Sequence, residues 1–384
     1  MGADDIKNKS NFIAQILASD SLVIYGAGTM GRTVLKCLTE KPYDLSIECF
    51  IVKSLDDNAD IVDGLPVVDI EHASEYRSST VLIALNGKYI PEVLNDLKEA
   101  GFSDLVPVSF DGDEYTKIRG GWIRSNGILP NNIRYLSDIE EFGKCTHDES
   151  SLPDDVNGKF HIYVVHSAFD KVLSETPGDE PYEIGIQVGS ALTDKQLFDV
   201  RDNIGEDNIS DKNRKYCELT GIYWAWKNDR SDYVGFSHYR RKFLLSEEDL
   251  AKIIAENIDV VVTEPLLNFV TVRGQYAKDH IVEDWDTFIG VIEDIAPDYL
   301  EAAIQVQNGI YYFAYNMYIM KREIFDEYCS FIFPILAKCE ELIGSKEDVY
   351  QNRYVGFLAE RLLSVFLTKN SDYSVAIAEK HFIE

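Results

Sequence analysis

Positive charge is scarce in this 384-residue sequence: 37 Lys and Arg stand against 66 Asp and Glu, a formal net charge of −29. Such a chain repels polyanions, which excludes general binding to duplex nucleic acid and strong electrostatic anchoring to anionic lipid. Long apolar runs are missing as well. No stretch reaches the ~20 apolar residues of a membrane-spanning helix. The opening MGADDIKNKS lacks the charged-then-apolar pattern of a secretory signal, and Ile6 stands where an acylation motif wants Ser or Thr. The expectation is a cytoplasmic protein, at most peripheral at the inner face of the membrane. Six cysteines (Cys37, Cys49, Cys145, Cys217, Cys329, Cys339) show no CxxC and no zinc spacing, so they read as reduced packing residues. GxSxG, P-loop and HExxH patterns are absent, which argues against serine hydrolases, P-loop NTPases and zinc proteases.

What is present fits an enzyme of more than one domain. The chain is 45% hydrophobic and 12% aromatic, ample for a large core and too rich for disorder. Near the start, an apolar β-branched run at 21–25 leads into Gly26-Ala27-Gly28-Thr29-Met30-Gly31 and then a segment of helical spacing at 32–38. Strand, glycine turn and helix open a βαβ unit, and Gly26, Gly28 and Gly31 have the dinucleotide-binding spacing. Further strands at 47–52, 65–68 and 80–85 and a helix at 90–100 predict a parallel, Rossmann-like domain over 1–110. The acid that would hold a ribose at the end of the second strand is missing; Lys53 follows Val52 there and would suit a phosphorylated or nucleotide-sugar ligand instead. The Gly-, Asn-, Asp- and Pro-rich stretch 111–158 is expected to be a linker with little structure. A second α/β domain over 159–384 starts with the buried-strand pattern FHIYVV at 160–165. It continues with a helix at 211–228, a strand at 233–237, a strand at 315–320 and helices at 322–343 and 354–368.

Charge singles out one region. Between Lys212 and Lys242 eight bases (Lys212, Arg214, Lys215, Lys227, Arg230, Arg240, Arg241, Lys242) face Glu218, Asp229 and Asp232, a window of +5 in a chain of −29. The predicted strand 233–237 runs directly into His238-Tyr239-Arg240-Arg241, and ligands of open α/β sheets gather at such carboxyl ends. Paired guanidiniums offer forked donors to phosphate oxygens, so this end is expected to take a small anion such as a nucleoside diphosphate sugar. His166, ending the strand before it, could line the same cleft. An Asp-x-Asp that would hold manganese or magnesium does not occur at this strand end; the nearest, Asp284-Trp285-Asp286, opens a predicted helix, where acids also suit the helix dipole. Metal use is left open. Tyr223 and Lys227 form a YxxxK pair, but it lies far outside the glycine-turn domain that a dehydrogenase would use.

The ordered segments IYVVHSAFDK (162–171), IQVGSAL (186–192), DNISDKNRKYCELTGIYWAWKN (207–228), DYVGFSHYRRKF (232–243), QYAKDHIVEDWD (275–286), NMYIMKREIFDEYCSFIFPIL (316–336) and GFLAERLLSVFL (356–367) resemble a bacterial family. It is long described as of unknown function, is found in capsule and exopolysaccharide clusters, and is regarded as glycosyltransferases. The resemblance implies a GT-A-like fold and activity on galactose or galactofuranose. It implies a catalytic group of His238, Arg240, Arg241, Asp284 and Glu360. Substrate contacts would come from His166, Gln187, Asn208, Asn213, Tyr216, Tyr239, Gln275, Tyr276, His280 and Asn316. Glu218 and Arg361 fall in the same motifs. The chain departs from the family's pattern at Ser167, where Lys is usual, and at Lys242, where an aromatic is usual. The first half resembles small Rossmann-like modules attached to sugar-processing proteins.

The resulting expectation is a hexosyltransferase that moves a sugar from a UDP-linked donor to a growing lipid-linked glycan of capsule, exopolysaccharide or O-antigen. Two alternatives stand beside it: an NAD-dependent sugar oxidoreductase run by the first domain, and a non-catalytic nucleotide-sugar-binding protein.

Overall fold

A computed structural model describes residues 12–56, 58–139, 156–173 and 180–383. The chain forms two compact units, Met1–Leu129 and Pro130–Glu384, and both are α/β. In the first, helix α1 (Phe12–Leu17) precedes β1 (Leu22–Tyr25), α2 (Thr29–Thr39), β2 (Phe50–Val52), β3 (Ile61–Val62), β4 (Leu65–Asp69), β5 (Thr80–Leu85), α3 (Ile90–Glu99), β6 (Leu105–Ser109) and α4 (Asp113–Asn126). The sheet order is β3-β4-β2-β1-β5-β6, parallel except for the β3–β4 pair. Every residue of β1 is buried, as a central strand covered on both faces must be.

The glycine turn between β1 and α2 is built by close approach. Gly26 has φ +105°, and a Cβ on Gly31 would lie 1.8 Å from the Gly26 carbonyl oxygen, whereas one on Gly28 would meet nothing within 4 Å. Gly26 and Gly31 are therefore demanded by packing, and Gly28 is free to face a ligand.

The expected linker is corrected over its first part. Its polar composition conceals an amphipathic stripe: Tyr115, Ile118 and Trp122 are buried along one side of α4, Asp113 and Glu114 occupy its first turn, and Gly127 closes it in the left-handed region. Trp122 Nε1 donates to Glu40 at 2.8 Å, tying α4 into the first unit. Residues 140–155 of that stretch lie outside the described residues.

The second unit holds, among the described residues, a nine-stranded mixed sheet. Its elements are β7 (Ile133–Tyr135), β8 (Phe160–Ser167), β9 (Glu183–Val188), α5 (Asn213–Tyr216), α6 (Leu219–Asn228), β10 (Tyr233–His238), β11 (Arg241–Phe243), α7 (Glu247–Ala255), β12 (Val260–Thr263), β13 (Leu266–Leu267), α8 (Val272–Asp279), α9 (Val282–Ile295), α10 (Leu300–Asn308), β14 (Tyr311–Tyr312), β15 (Tyr318–Lys321), α11 (Arg322–Ile343), α12 (Tyr354–Lys369), β16 (Val375–Ala378) and β17 (Lys380–Phe382). Central β10 runs parallel to β8, which runs parallel to β9, and antiparallel to β15; β15 is in turn antiparallel to β12. The carboxyl ends of β8, β9 and β10 therefore open on one edge.

Two expectations change here. The helix predicted at 211–228 is broken at Cys217, whose φ of +52° ends α5 before α6 begins. The strand predicted from 315 starts at Tyr318, because Tyr315 and Asn316 both sit at positive φ, +72° and +49°. Past His238 the chain turns back at once, His238 pairing with Arg241 and Arg241 with Phe382 of β17.

The Gly31 contact makes a stability prediction. Gly31→Ala should cost the first unit at least about 1–3 kcal/mol through overpacking against backbone, while Gly28→Ala, which meets no atom, should cost no more than about 1 kcal/mol as a loss of N-cap preference. Urea unfolding of both variants checks this, and equal losses would show that the turn is not built on the Gly26–Gly31 approach.

Candidate active site

The carboxyl end of β10 is assembled from elements far apart in sequence. His238 Nε2 donates to the Tyr315 carbonyl at 2.5 Å; because a carbonyl can only accept, this fixes the proton on Nε2 in the neutral ring. Burial holds the His238 imidazole below its usual range, and Arg241 and Arg353 reinforce this while Glu218 opposes it. The Tyr315 N–H donates to Glu360 Oε1 at 3.3 Å, so one peptide segment is gripped from both sides. Its neighbour Asn316, 1% exposed, donates from Nδ2 to Glu218 Oε1 at 2.6 Å, and Asn316 Oδ1 is buried without a partner.

Behind this group lies Arg361. It donates to Glu360 Oε2 at 2.8 Å, to Gln275 Oε1 at 2.8 Å and to the Tyr312 hydroxyl at 3.0 Å. Both Glu360 oxygens are thus engaged, and burial raises its carboxyl above the usual range against the pull of Arg361, with Glu218 adding to the rise.

Guanidiniums gather on the other side. Arg241 lies 4.6 Å from the Tyr315 ring centre and Arg240 4.7 Å from that of Phe382, cation–π contacts that hold planar charge in place. Lys380 faces the same Tyr315 ring at 5.6 Å. Arg240 donates through Nε to the Ile383 carbonyl at 3.4 Å; its two terminal nitrogens make no hydrogen bond among the described residues. Arg353 anchors its Nε on Cys217 Sγ at 3.1 Å, and burial together with Glu218 pushes the Cys217 thiol up to about 11. At the neighbouring end of β8, His166 packs against Phe198 and Tyr239, with ring centres 4.7 and 6.0 Å away. Asp170 approaches its Nδ1 at 3.9 Å, and burial raises that carboxyl to about 6.

The strand end presents guanidiniums and an imidazole, and among the described residues no three His, Cys, Asp or Glu side chains converge to hold a metal. What it suits is an anion flanked by carboxylates that could handle a proton.

Several residues expected at the site are spent elsewhere. Gln187 uses its amide on Lys195 and Leu197 of the following loop. Asn208 bridges Gly205 and Ser210, and Asn213 closes the turn at Cys217 and Thr220. Tyr216, Lys212 and Lys215 all bind Glu340 of α11. Lys227 pairs with Asp207 and Lys242 with Glu183, so half of the eight bases in the +5 window are neutralised by acids outside it. Asp284 is 3% exposed and bound to Lys346 at 2.7 Å; burial raises it and Lys346 opposes. It shares no hydrogen bond with the His238 group. Tyr276 is fully buried between Trp285 and His280, and His280 stacks on Phe357 at 4.0 Å; burial, with Arg361 adding, lowers the imidazole to about 4. Gln275 reaches the cluster through Arg361. In the first unit, Lys53 is held by Glu92 and Asp96 at 2.7 and 3.1 Å, which answers its charge locally.

Residues the sequence did not single out also belong here: Tyr315, Arg353, Asp170, Lys380 and Phe382. Of these, Tyr315 had a usable signal in its place beside Asn316; the others are recruited by tertiary contacts that leave no spacing to read.

A family model described as Domain of unknown function (DUF4422) matches residues 162–371. Among solved structures, the apo structure of the WbbM bifunctional glycosyltransferase is similar, with a TM-score of 0.51 and 25% identity, covering 59% of this chain and 45% of that one. The chain thus spans less than half the length of that protein. Among curated proteins, the redox-sensing transcriptional repressor Rex 1 of Enterococcus faecalis is 28% identical over 158 residues, 39% of this chain and 69% of the relative. The fold is accordingly α/β, with a Rossmann-like first unit and a GT-A-like second unit.

The Glu340 cluster yields a pH prediction. Burial would raise the Glu340 carboxyl, but Lys212, Lys215 and Tyr216 outweigh it and lower it. A carboxyl lowered on folding stabilises above its unfolded value and loses that stabilisation as pH falls through the folded one. Glu340→Gln should therefore cost about 1–2 kcal/mol at pH 7, a gap that closes as pH falls below ~4. Urea unfolding across pH checks it; a gap independent of pH would contradict the ion-pair account.

Proposed function

The chain belongs to the DUF4422 family, and on that premise we propose that its second unit transfers a sugar, galactose or galactofuranose, from a UDP-linked donor to a growing lipid-linked capsule, exopolysaccharide or O-antigen glycan. The observation that carries this reading is the carboxyl end of β10. There Arg240 and Arg241, each held on an aromatic ring, stand beside a neutral His238 and the carboxylates Glu218 and Glu360. The likeness to a glycosyltransferase structure supports glycosyl transfer in general terms.

In this reading the donor's diphosphate lies against the guanidiniums. As the acceptor oxygen bonds to the anomeric carbon, the bond from that carbon to the phosphate oxygen breaks and its electron pair leaves with UDP. Fixed cations aimed at the departing oxygen favour that charge only as it develops, which lowers the barrier. His238, locked through Nε2, offers Nδ1 as an acceptor for a sugar hydroxyl and so orients donor or acceptor. Tyr239 and His166 line the approach from β8. The diphosphate is assigned to the arginines gathered at this strand end.

The glycine turn of the first unit supports a second reading for that unit alone, a nucleotide-binding module. Gly28 leaves open space before the N-terminus of α2, and free N–H groups there suit a phosphate. The oxidoreductase alternative finds no support at the end of β2, where Lys53 rather than an acid follows the strand.

Arg240→Ala should lower turnover by roughly 10²–10³-fold, the usual cost of removing one donor to developing charge, with an unchanged unfolding midpoint. The check is UDP release from UDP-galactose and UDP-galactofuranose in the presence of a glycan acceptor. Unchanged turnover would remove the arginine from the mechanism.

A further inference from the structure

We propose that Glu218 is the catalytic base, the group that takes the proton from the acceptor's attacking hydroxyl. This rests on the glycosyl-transfer reading and goes beyond it by choosing among the carboxylates. Four carboxylates are near enough to consider, and their hydrogen bonds and burial separate them; Asp170 accepts from the Ser167 N–H at 2.7 Å and faces His166 at the end of β8, apart from the hydrogen bonds that join His238, Tyr315 and Asn316. Asp284 binds Lys346 through Oδ1 and leaves Oδ2 without a partner, but it is 3% exposed, out of an acceptor's reach, and shares no hydrogen bond with the His238 group. Glu360 has one oxygen on the Tyr315 N–H and the other on Arg361, so both oxygens are already engaged and a proton arriving there would face a guanidinium or a backbone donor. Glu218 has one oxygen fixed by Asn316 at 2.6 Å, and its second oxygen accepts no hydrogen bond among the described residues.

One anchored oxygen and one open oxygen are what a positioned base requires. The anchor is itself rigid. Asn316 is 1% exposed and held at positive φ, so Nδ2 has little freedom to follow a moving carboxylate. Glu218 also begins at a fixed point, between the sharp turn at Cys217 and the first residue of α6. Its carboxylate acts electrostatically on His238, Arg353 and Glu360, which places it inside the cluster. His238 is the rival base. Its burial and its neighbouring guanidiniums disfavour the protonated ring, leaving it suited to accept a hydrogen bond and poorly suited to keep a proton.

The step balances without another reactant. The acceptor oxygen forms its bond to the anomeric carbon, its proton passes to the open Glu218 oxygen, and the carbon–phosphate oxygen bond breaks with its electron pair leaving on UDP. Glu360, through Tyr315, then acts as a positioning residue for His238 and Arg241.

The test separates deprotonation from binding. Azide is already an anion and needs no base to attack the same carbon. Glu218→Ala should lower transfer to a hydroxyl acceptor by about 10²–10⁴-fold, while UDP release from UDP-galactose or UDP-galactofuranose with added azide, yielding the glycosyl azide, stays within a few-fold of wild type. Glu218→Gln, which keeps an oxygen for Asn316, repeats the measurement if the alanine variant does not fold. Transfer within tenfold of wild type would overturn the proposal. Loss of the azide reaction together with transfer in a folded variant would also overturn it, making Glu218 a structural or donor-holding group. If wild type itself releases no UDP from any nucleotide sugar, it is the glycosyl-transfer reading that fails.

Discussion

Tyr315 and Asn316 occupy a backbone region that non-glycine residues avoid, at φ +72° and +49°, a cost on the order of 1–3 kcal/mol each. Two such residues in succession persist only where their surroundings over-determine them, and here three polar groups of the segment have specific captors. His238 takes the Tyr315 carbonyl, Glu360 its N–H, and Glu218 the Asn316 amide. The bend delays the start of β15, lays the Tyr315 ring beneath Arg241 and directs Asn316 at Glu218. Three elements that meet nowhere in sequence are joined through this one distorted dipeptide. The arrangement of cations and carboxylates at the end of β10 follows from it.

Charge has a different meaning locally than on average. Glu340, Asp207 and Glu183 neutralise four members of the one basic window. Arg240 and Arg241 are held on aromatic rings. A ring fixes a guanidinium without cancelling its charge, so Arg240 keeps its field for a ligand.

Much of the frame was legible because local rules govern it. The buried run at β8, the glycine turn before α2 and the strand leading into His238 all follow from spacing and residue type. Legibility failed where long-range packing decides. The stretch after Ser109 looked like a linker because its polar residues outnumber the Tyr115, Ile118 and Trp122 stripe that folds it as α4. Gln187, Asn208, Asn213 and Tyr216 looked available for substrate, yet their polar atoms close loops and pair with Glu340. A sequence lists donors and acceptors without saying which are already satisfied. For the same reason Arg353, Lys380 and Phe382 left no signal, and Glu218 could be placed in a motif but not given a role.

The central claim is that a nucleotide-sugar diphosphate is held at the carboxyl end of β10 by arginine. A crystal structure of the protein with bound UDP tests it most directly. The account predicts phosphate oxygens within hydrogen-bond distance of Arg240 and Arg241, about 2.7–3.2 Å, with Glu218 left open on the acceptor side. UDP bound only at the glycine turn of the first unit, or phosphates held by other residues and out of reach of both arginines, would contradict it.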